Sequence, residues 1–384
     1  MRRVWFWLLM LLVAPAAPGY ADDTPEWTLC STRPSAGITN DAIIAACTSV
    51  LDAAKEPADR LAIAAFNRGL AYNRAGNRDK GYADYDAALR LNPKFANVFV
   101  ARGYEAIADG KYEAAISEFD QAAKIDPKLV QAYYGRGLAY GASRKIDLSI
   151  KDHQKAIALD PKYAPAYFGL GLEYRDKGQF DRAVESFSRA IELDPKYAQA
   201  LYNRGNAYGA QKQVQRAIED YNAAIQIEPG YAKALFMRGL AYRDTGKTDE
   251  ALADFDAAIH ADPKFDAAIT ARDETKRKIA STAPAPNGQE EKALFGLYLA
   301  RSGNLACGFG IDDDEKAALE RELAGRLTKA SVSAARAIEL AARADIVVAE
   351  QKQTDAKLCS TDGDFAADTR EMFDAVADRP KRSQ

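Results

Sequence analysis

Between residues 62 and 265, apolar residues recur at the three- and four-residue spacing of amphipathic helices, and the runs are punctuated by proline every 34 residues. The prolines are Pro93, Pro127, Pro161, Pro195, Pro229 and Pro263. They define six blocks, which we call repeats 1 to 6, with positions numbered 1 to 34 in each: 62–95, 96–129, 130–163, 164–197, 198–231 and 232–265. A fixed period of this length predicts a solenoid of stacked helical units.

Small and aromatic residues occupy fixed positions within the repeats. Position 8 is always glycine and position 27 always alanine, and position 11 is tyrosine except at Ala106. A turn such as DKGQF separates two helical stretches in each repeat, and the proline follows the second. Glycine allows two helix backbones to approach closely, so each repeat is predicted to be a pair of packed helices.

These features resemble the tetratricopeptide repeat (TPR), and the resemblance covers about half of the chain. It implies an all-α fold, a right-handed α-solenoid of six TPR helix pairs with capping helices, in an exported, bacterial-type TPR protein. Four residues depart from the pattern: Arg144 and Lys212 replace the usual turn glycine, and Gly81 and Ser149 replace a usual alanine. We expect these residues to loosen the first, third and fifth helix pairs locally.

Positions 7 and 23 change together. Five repeats have arginine at position 7 and an acid at position 23, whereas repeat 4 has Leu170 and Ser186. This predicts a structural ion pair between the two helices of a repeat. Two independent surface charges, inherited by duplication, are the alternative. The predicted pairs are Arg68–Asp84, Arg102–Glu118, Arg136–Asp152, Arg204–Asp220 and Arg238–Asp254.

The resemblance to TPR proteins also implies an inner, concave groove lined by the first helix of each pair. Positions 5 and 9 would form an apolar and aromatic ladder along it, with polar groups beside the ladder. A partner protein or peptide is the expected ligand. The alternative is that the ladder packs against neighbouring helices and is mostly buried. The predicted groove residues are Phe66, Leu70, Val100, Tyr104, Tyr134, Leu138, Phe168, Leu172, Arg175, Tyr202, Asn203, Asn206, Phe236, Leu240 and Arg243.

The N-terminus has the pattern of a secretory signal peptide. Arg2 and Arg3 precede an apolar run, and small residues lead to a cleavage site after Ala21. We therefore expect residues 1–21 to be removed and the protein to be periplasmic or secreted, with no stable membrane span after cleavage. An uncleaved membrane anchor is the alternative.

The cysteines fit an exported chain. All four follow the predicted cleavage site, two near each end of the remaining chain. Proximity predicts the disulfides Cys30–Cys47 and Cys307–Cys359, although four cysteines allow three pairings.

Three segments flank the repeats. Residues 22–61 are predicted to form a disulfide-linked cap that contains a helix over 40–54, with Asn40 or Asp41 as its N-cap. Residues 266–280 are predicted to form a closing helix and 281–290 a linker. The remainder, 291–384, is predicted to be a small helical domain of about three helices.

Charge and candidate chemistry point away from several classes of function. Loss of Arg2 and Arg3 takes the net charge from −3 to −5, which gives no electrostatic reason to expect nucleic acid binding. Asp312, Asp313 and Asp314 are explained by a helix start rather than by a metal. His153 takes the place of an aromatic residue, so we expect it to pack in the core. We expect no cofactor and no metal.

The sequence therefore predicts a scaffold rather than an enzyme. The leading hypothesis is a non-enzymatic periplasmic or secreted protein that binds a protein or peptide along the groove. A cell-envelope assembly factor that binds glycan or cell-wall components is the alternative. An enzyme with its site in residues 290–384 is a third reading, disfavoured because that segment has no base and nucleophile at a usable spacing.

Overall fold

The computed structural model describes residues 24–32, 37–282, 288–307, 313–329 and 333–354. Within these residues the chain is helical, without a strand, which confirms the predicted all-α fold. Two compact units are present, Met1–Gln211 and Lys212–Gln384, and the division falls between the two helices of repeat 5. The predicted signal peptide, Cys359 and the last predicted helix lie outside the described residues.

The first unit contains two N-terminal helices followed by nine repeat helices. The N-terminal helices are α1 (Pro25–Cys30) and α2 (Asn40–Ala53). The repeat helices are α3 (Ala58–Arg74), α4 (Arg78–Leu91), α5 (Ala96–Ala108), α6 (Tyr112–Ile125), α7 (Val130–Ala142), α8 (Ile146–Leu159), α9 (Ala164–Asp176), α10 (Phe180–Leu193) and α11 (Ala198–Ala210).

The second unit begins with the second helix of repeat 5. Its helices are α12 (Val214–Ile227), α13 (Ala232–Asp244), α14 (Thr248–Ala261), α15 (Asp266–Thr282), α16 (Gly288–Cys307), α17 (Asp313–Lys329) and α18 (Ala334–Thr354).

Repeats 1, 2, 3, 4 and 6 end by the same local mechanism. In repeat 3, for example, the helix stops at Asp160, whose side chain accepts a hydrogen bond of 2.9 Å from the backbone N–H of Lys162. Pro161 lies between them and cannot continue the helix. The same bond forms after α4, α6, α10 and α14, so the repeat boundary is encoded in three consecutive residues.

A disulfide holds the N-terminal cap together. Cys30 on α1 is bonded to Cys47 on α2, and both side chains are fully buried. The backbone carbonyl of Cys30 accepts a hydrogen bond of 3.2 Å from Asn67 on α3, which fastens the cap to repeat 1. The N-cap of α2 is Thr39, not Asn40 or Asp41, because the Thr39 side chain accepts the N–H of Ala42 at 3.1 Å.

Close contact between a ring and a glycine sets the spacing of the helices in a pair. The aromatic ring at position 24 of the second helix lies against the position-8 glycine of the first. A Cβ added at Gly103 would lie 2.7 Å from the ring of Phe119, and one at Gly171 would lie 2.6 Å from Phe187. Any larger residue at position 8 would force the pair apart.

The residues that depart from the TPR pattern do not loosen the helix pairs as expected. Gly81 leaves room for the Asn73 side chain, since a Cβ there would lie 2.0 Å from Asn73 Oδ1. Ser149 Oγ lies within hydrogen-bonding distance of Glu173 on the next repeat. Arg144 and Lys212 adopt the left-handed turn conformation that glycine has in the other repeats, with φ of 62° and 60°.

Arginine at position 7 joins the two helices of a repeat. Arg136 donates from Nε and Nη2 to the two carboxylate oxygens of Asp152, both at 2.7 Å. Arg68–Asp84 and Arg238–Asp254 have the same two-pronged geometry. Each guanidinium is about four-fifths buried and each acid more than nine-tenths buried.

The predicted pair Arg102–Glu118 differs from this geometry. Arg102 bonds to Asp86 of the preceding repeat, and Glu118, whose pKa is raised by burial, interacts with Arg102 only as a nearby charge. Arg204 donates to Ser188 at 3.0 Å, and its predicted partner Asp220 belongs to the other unit.

The same arginines also reach back to position 25 of the preceding repeat, a contact that the sequence analysis missed. Arg136 Nη1 donates to Asp120 at 2.5 Å, and Arg238 Nη1 donates to Asn222 at 2.6 Å. Each guanidinium therefore ties together three helices from two repeats, which fixes the register of one pair on the next. Arg68 makes the corresponding bond to Thr48 of the cap.

Three C-terminal helices complete the second unit. Leucines of α16, α17 and α18 form their common core, including Leu294, Leu319 and Leu340. Asp345 on α18 bonds to Lys276 on α15 and to Ser302 on α16. The Ser333 side chain accepts a hydrogen bond from the backbone N–H of Arg336 and so begins α18.

Replacing Arg144 by glycine should raise the free energy of unfolding by about 0.5–1 kcal/mol, because an L-residue in the left-handed region is strained and glycine is not. Urea unfolding of the full chain measures the difference. Ala142→Gly, two residues earlier and inside the helix, is the control, and it should lower stability by about 1 kcal/mol. Equal effects of the two substitutions would contradict the strain.

A double-mutant cycle should show that Arg136 and Asp152 act together. Asp152→Ser alone leaves a mostly buried guanidinium without its main partner and should cost about 2–3 kcal/mol. Arg136→Leu/Asp152→Ser reproduces the Leu170 and Ser186 of repeat 4 and should cost at least about 1 kcal/mol less than the two single changes together. Additive costs in urea unfolding would show that the two charges are independent.

Candidate functional site

The first helices of the repeats carry the residues predicted to line a groove, and the structure divides these residues into two groups. Five of them are at most 4% exposed: Phe66, Leu70, Val100, Tyr104 and Tyr134. A partner cannot touch these side chains without opening the core. The prediction that they line an open groove is therefore wrong, and the alternative of a buried ladder holds for these five.

Stacking of rings explains the burial. In repeats 1, 3, 4 and 6, the position-5 ring lies between the position-24 ring of its own repeat and the last residue of that repeat. Phe66 is 5.8 Å from Tyr85 and 5.1 Å from Phe95, measured between ring centroids. Tyr134 has the same arrangement, 5.6 Å from His153 and 5.4 Å from Tyr163. The ladder is thus a layer of the hydrophobic core.

The ladder becomes half-exposed further along the first unit. Leu138, Phe168, Leu172 and Tyr202 are only partly buried, although their equivalents in repeats 1 and 2 are fully covered. Phe168 packs on Phe187 at 5.8 Å and on Tyr197 at 4.9 Å, and part of its ring remains open to solvent. The apolar surface available to a ligand in this unit is therefore concentrated in repeats 3 to 5.

Two further tyrosines, missed by the sequence analysis, belong to the same surface. Tyr163 and Tyr197 are the last residues of repeats 3 and 4, and both are half-exposed. Tyr197 lies 4.9 Å from Phe168, and Tyr163 lies 5.4 Å from Tyr134. We call these four rings the aromatic recess: Tyr134, Tyr163, Phe168 and Tyr197. The signal was present in the sequence, since position 34 is aromatic in five of six repeats.

The hydroxyl groups of the recess remain protonated. Burial raises the pKa of Tyr134, Tyr163 and Tyr197 above the usual tyrosine range, and the neighbouring phenols raise it further for Tyr134 and Tyr197. Tyr163 and Tyr197 are half-exposed, yet the protein strongly shields their hydroxyls, so they lie deep in the surface. The recess is therefore uncharged, with buried Tyr134 as its floor and parts of the rings of Tyr163, Phe168 and Tyr197 at its surface, which suits an uncharged stretch of a ligand.

The predicted polar residues lie near one end of the recess. Arg175 Nη1 donates to Asn203 Oδ1 at 2.6 Å, and Asn203 is nearly buried. The same arginine bonds to Asp176 at 2.7 Å, so its charge is balanced locally. Asn206 is half-exposed on the same helix as Asn203.

The second unit carries the remaining predicted groove residues. Phe236 and Leu240 are half-buried, and Phe236 is sandwiched between Phe255 at 6.0 Å and Phe265 at 5.0 Å. Arg243 lies 3.6 Å from Asp244. The ring packing is the same as in repeat 4, where Phe168 lies between Phe187 and Tyr197.

The described residues offer little for catalysis or metal binding. They contain no cluster of His, Cys, Asp and Glu side chains that could hold a metal ion. His153, as predicted, occupies an aromatic position in the core and is fully buried. Across the same residues, none of the helices combines the length and apolar character needed to cross a bilayer.

Family models give a consistent result along the repeats. Models described as TPR repeat or tetratricopeptide repeat match residues 62–95, 103–143, 130–163, 154–185, 171–212, 198–231 and 232–265, together about half of the chain. No curated protein matches this chain.

Several solved structures are similar. The APC/C hetero-tetramer Cut9–Hcn1 has 17% sequence identity and a TM-score of 0.52, covering 61% of this chain and 48% of that one. The Pseudomonas aeruginosa pilF protein has 16% identity and a TM-score of 0.52, covering 57% of this chain and 100% of that one. MamA has 31% identity over 42% of this chain and 95% of its own, with a TM-score of 0.39. At these values the first two likenesses show the fold alone. The repeat models and the helix pairs together establish that the chain belongs to the tetratricopeptide repeat family.

Proposed function

We propose that this chain is a non-enzymatic scaffold of the periplasm or cell exterior that binds an extended segment of a partner protein in the aromatic recess. TPR folds are of the protein-interaction type, and the recess is the part of the first unit where apolar rings of the repeat core reach solvent. The location outside the cytoplasm and the extended conformation of the ligand are parts of the same proposal.

The observation that carries the proposal is the change in burial along the ladder. Leu70 and Tyr104, at position 9 of repeats 1 and 2, are buried, whereas Leu138 and Leu172 at the same position of repeats 3 and 4 are half-exposed. A chain that needed only a core could cover these residues as it covers the earlier two. Apolar surface that is left partly open beside deep hydroxyl groups marks a place for a ligand.

An extended peptide fits the recess better than a helix does. An extended backbone presents unpaired carbonyl acceptors to a half-exposed side-chain donor such as Arg175, whereas a helix has already used most of its carbonyls. Half-exposed Phe168 and Tyr202 supply rigid apolar contacts for alternate side chains of such a segment. Arg175 at the end of the recess adds a donor group for a polar side chain or a carboxylate.

Export is proposed from the N-terminal sequence and from the disulfide. Residues 1–21 have the pattern of a signal peptide but lie outside the described residues. The Cys30–Cys47 disulfide links the two helices of the N-terminal cap. Disulfides persist in oxidising compartments such as the periplasm. The proposed second bridge, Cys307–Cys359, cannot be placed because Cys359 lies outside the described residues.

The double variant Phe168→Ala/Tyr202→Ala should weaken peptide binding at least about tenfold, because it removes two aromatic anchors each worth about 1 kcal/mol or more. Peptides are selected from a displayed random library on the full exported chain, and fluorescence anisotropy then measures the affinity of a selected peptide for each variant.

Leu148→Ala is the matched control. Leu148 is 41% exposed on the second helix of repeat 3, so it loses a comparable apolar area away from the recess, and its affinity for the peptide should not change. Unchanged binding by the double variant would overturn the proposed site. A different result would favour the assembly-factor alternative. In that case no peptide is selected, cell-wall glycan fragments bind saturably, and Phe168→Ala/Tyr202→Ala abolishes the glycan binding.

A further inference from the structure

The junction between repeats 3 and 4 lacks the bond that joins other neighbouring repeats. Its position-7 residue is Leu170, which cannot bridge, and the position-25 residue of repeat 3 is Gln154 rather than an acid. Gln154 makes only a long contact of 3.4 Å to the Tyr174 hydroxyl. A charged bridge between α8 and the residue that follows α9 joins Asp147 and Lys177, which are at the surface. Ser149 and Glu173 lie within hydrogen-bonding distance across the same junction. The junction therefore relies on packing and on this one buried contact rather than on an arginine bridge.

The packing there contains unsatisfied polar atoms. Both ring nitrogens of His153 are buried without a hydrogen-bond partner, and so are Glu173 Oε2 and the hydroxyl of Tyr163. These are four of the ten such side-chain atoms found among the described residues, and all four belong to one junction. Each unpaired polar group favours a state in which water can reach it. We call the packed arrangement seen in the structure the closed junction. Its unpaired polar atoms destabilise it at the place where the arginine bridge is missing.

His153 is enclosed by backbone and rings. A Cβ added at Gly137 would lie 2.8 Å from the His153 ring, and one added at Gly169 would lie 2.7 Å from it. The backbones of helices α7 and α9 therefore both pack closely against the ring. Phe119 sits in the same way between Gly103 and Gly135 one repeat earlier, which shows that a phenyl ring fits this space.

No nearby charge compensates His153. Arg136 and Asp152 bond to each other, Arg175 bonds to Asp176 and Asn203, and Glu173 contacts Ser149. These are the charged side chains on α7, α8 and α9 that are buried or half-buried, and Tyr134 packs its ring on His153. Burial alone lowers the pKa of His153 from 6.5 to about 3, so the closed junction accepts only the neutral imidazole.

Burial also favours the protonated form of Glu173 in the closed junction. Its Oε1 lies 2.9 Å from Ser149 Oγ, and Ser149 Oγ lies 2.8 Å from the carbonyl oxygen of Gly137. A serine has one hydroxyl proton for these two acceptors, so the carboxyl group gains little hydrogen bonding to offset its burial. Burial accordingly raises the pKa of Glu173.

The two groups act in opposite directions as pH changes. The pKa of His153 is lower in the closed junction than in the open one, so its contribution is complete above about pH 6.5 and is lost as pH falls. The pKa of Glu173 is raised from 4.5 on closing, so its contribution is complete below that value and is lost as pH rises. Removing Glu173's charge therefore isolates the response of His153.

We propose that the junction between repeats 3 and 4 is a hinge that opens locally when a proton binds His153, so that mild acid separates helices α7 and α8 from α9 and α10 while the other junctions stay closed. The missing arginine bridge, the glycines on both sides of the ring and the four unpaired atoms place the weakness at one junction. The hinge does not depend on what binds the recess.

Hydrogen exchange tests the hinge directly. In the Glu173→Gln variant of the full exported chain, the opening constant of α8 and α9 should rise about 30-fold between about pH 7.5 and about pH 5.0, after correction for intrinsic exchange rates. The unaltered chain should show a smaller rise because Glu173 opposes it. In Glu173→Gln/His153→Phe the rise should fall below about twofold, because phenylalanine cannot bind a proton.

A further variant should transfer the acid-induced opening to the junction between repeats 2 and 3. Phe119→His in the Glu173→Gln/His153→Phe background places the imidazole between Gly103 and Gly135, so acid should now open the junction of repeats 2 and 3. The retained Arg136–Asp120 bond should make that opening rarer than the one at the native junction. The proposal is overturned if Glu173→Gln shows no acid-induced opening, or shows the same opening after His153→Phe, or loosens equally in all repeats of the unit.

Discussion

The fit of a second-helix ring against a first-helix glycine is the contact on which the other features of the repeats depend. Because a Cβ at Gly103, Gly171 or Gly239 would come within 2.7 Å of the facing ring, the two backbones lie as close as helices can. The ring at position 24 then has one open side, and the position-5 ring covers it. The aromatic ladder is therefore fixed by the core, and the surface open to a ligand is what the core leaves uncovered.

The arginines at position 7 solve a different problem, which is the register of one helix pair on the next. A stack held only by rings and small residues could slide by a turn, since each repeat offers the next a similar apolar face. Arg136 removes that freedom because it must reach Asp152 and Asp120 at once. Such half-buried charges add little net stability but penalise every other register. Repeat 4 omits the arginine together with both of its acids, so its register relies on the shape of the contact around His153.

Sequence alone was sufficient for the period, the helix pairs and three of the five arginine–acid pairs within a repeat, because these follow from residues that recur at fixed spacing. It was also sufficient for the Cys30–Cys47 bond, because these two cysteines are neighbours in the chain. The burial of the ladder side chains could not be predicted from the sequence in this way. Burial of Phe66 depends on Phe95 at the end of its own repeat, and it is decided by how tightly successive pairs stack, which no single position records. The second arginine partner, sixteen residues earlier in the chain, was visible in principle, since position 25 loses its acid in repeat 3, next to Leu170. His153 was correctly assigned to the core, but only the structure shows that its nitrogens are unpaired.

The hinge and the aromatic recess share a residue, which couples them. The ring of Tyr134 packs on His153 at 5.6 Å and on Tyr163 at 5.4 Å, so the floor of the recess in repeat 3 rests on the imidazole. Phe168 and Tyr197, the other half of the recess, belong to repeat 4. A ligand that contacts both halves binds the closed junction and not the open one, whereas a proton on His153 is accepted only by the open one. By linkage, each must weaken the binding of the other although they touch different atoms. The two proposals together predict that a ligand of the recess is held at neutral pH and released in acid without an ionisable group in the recess itself.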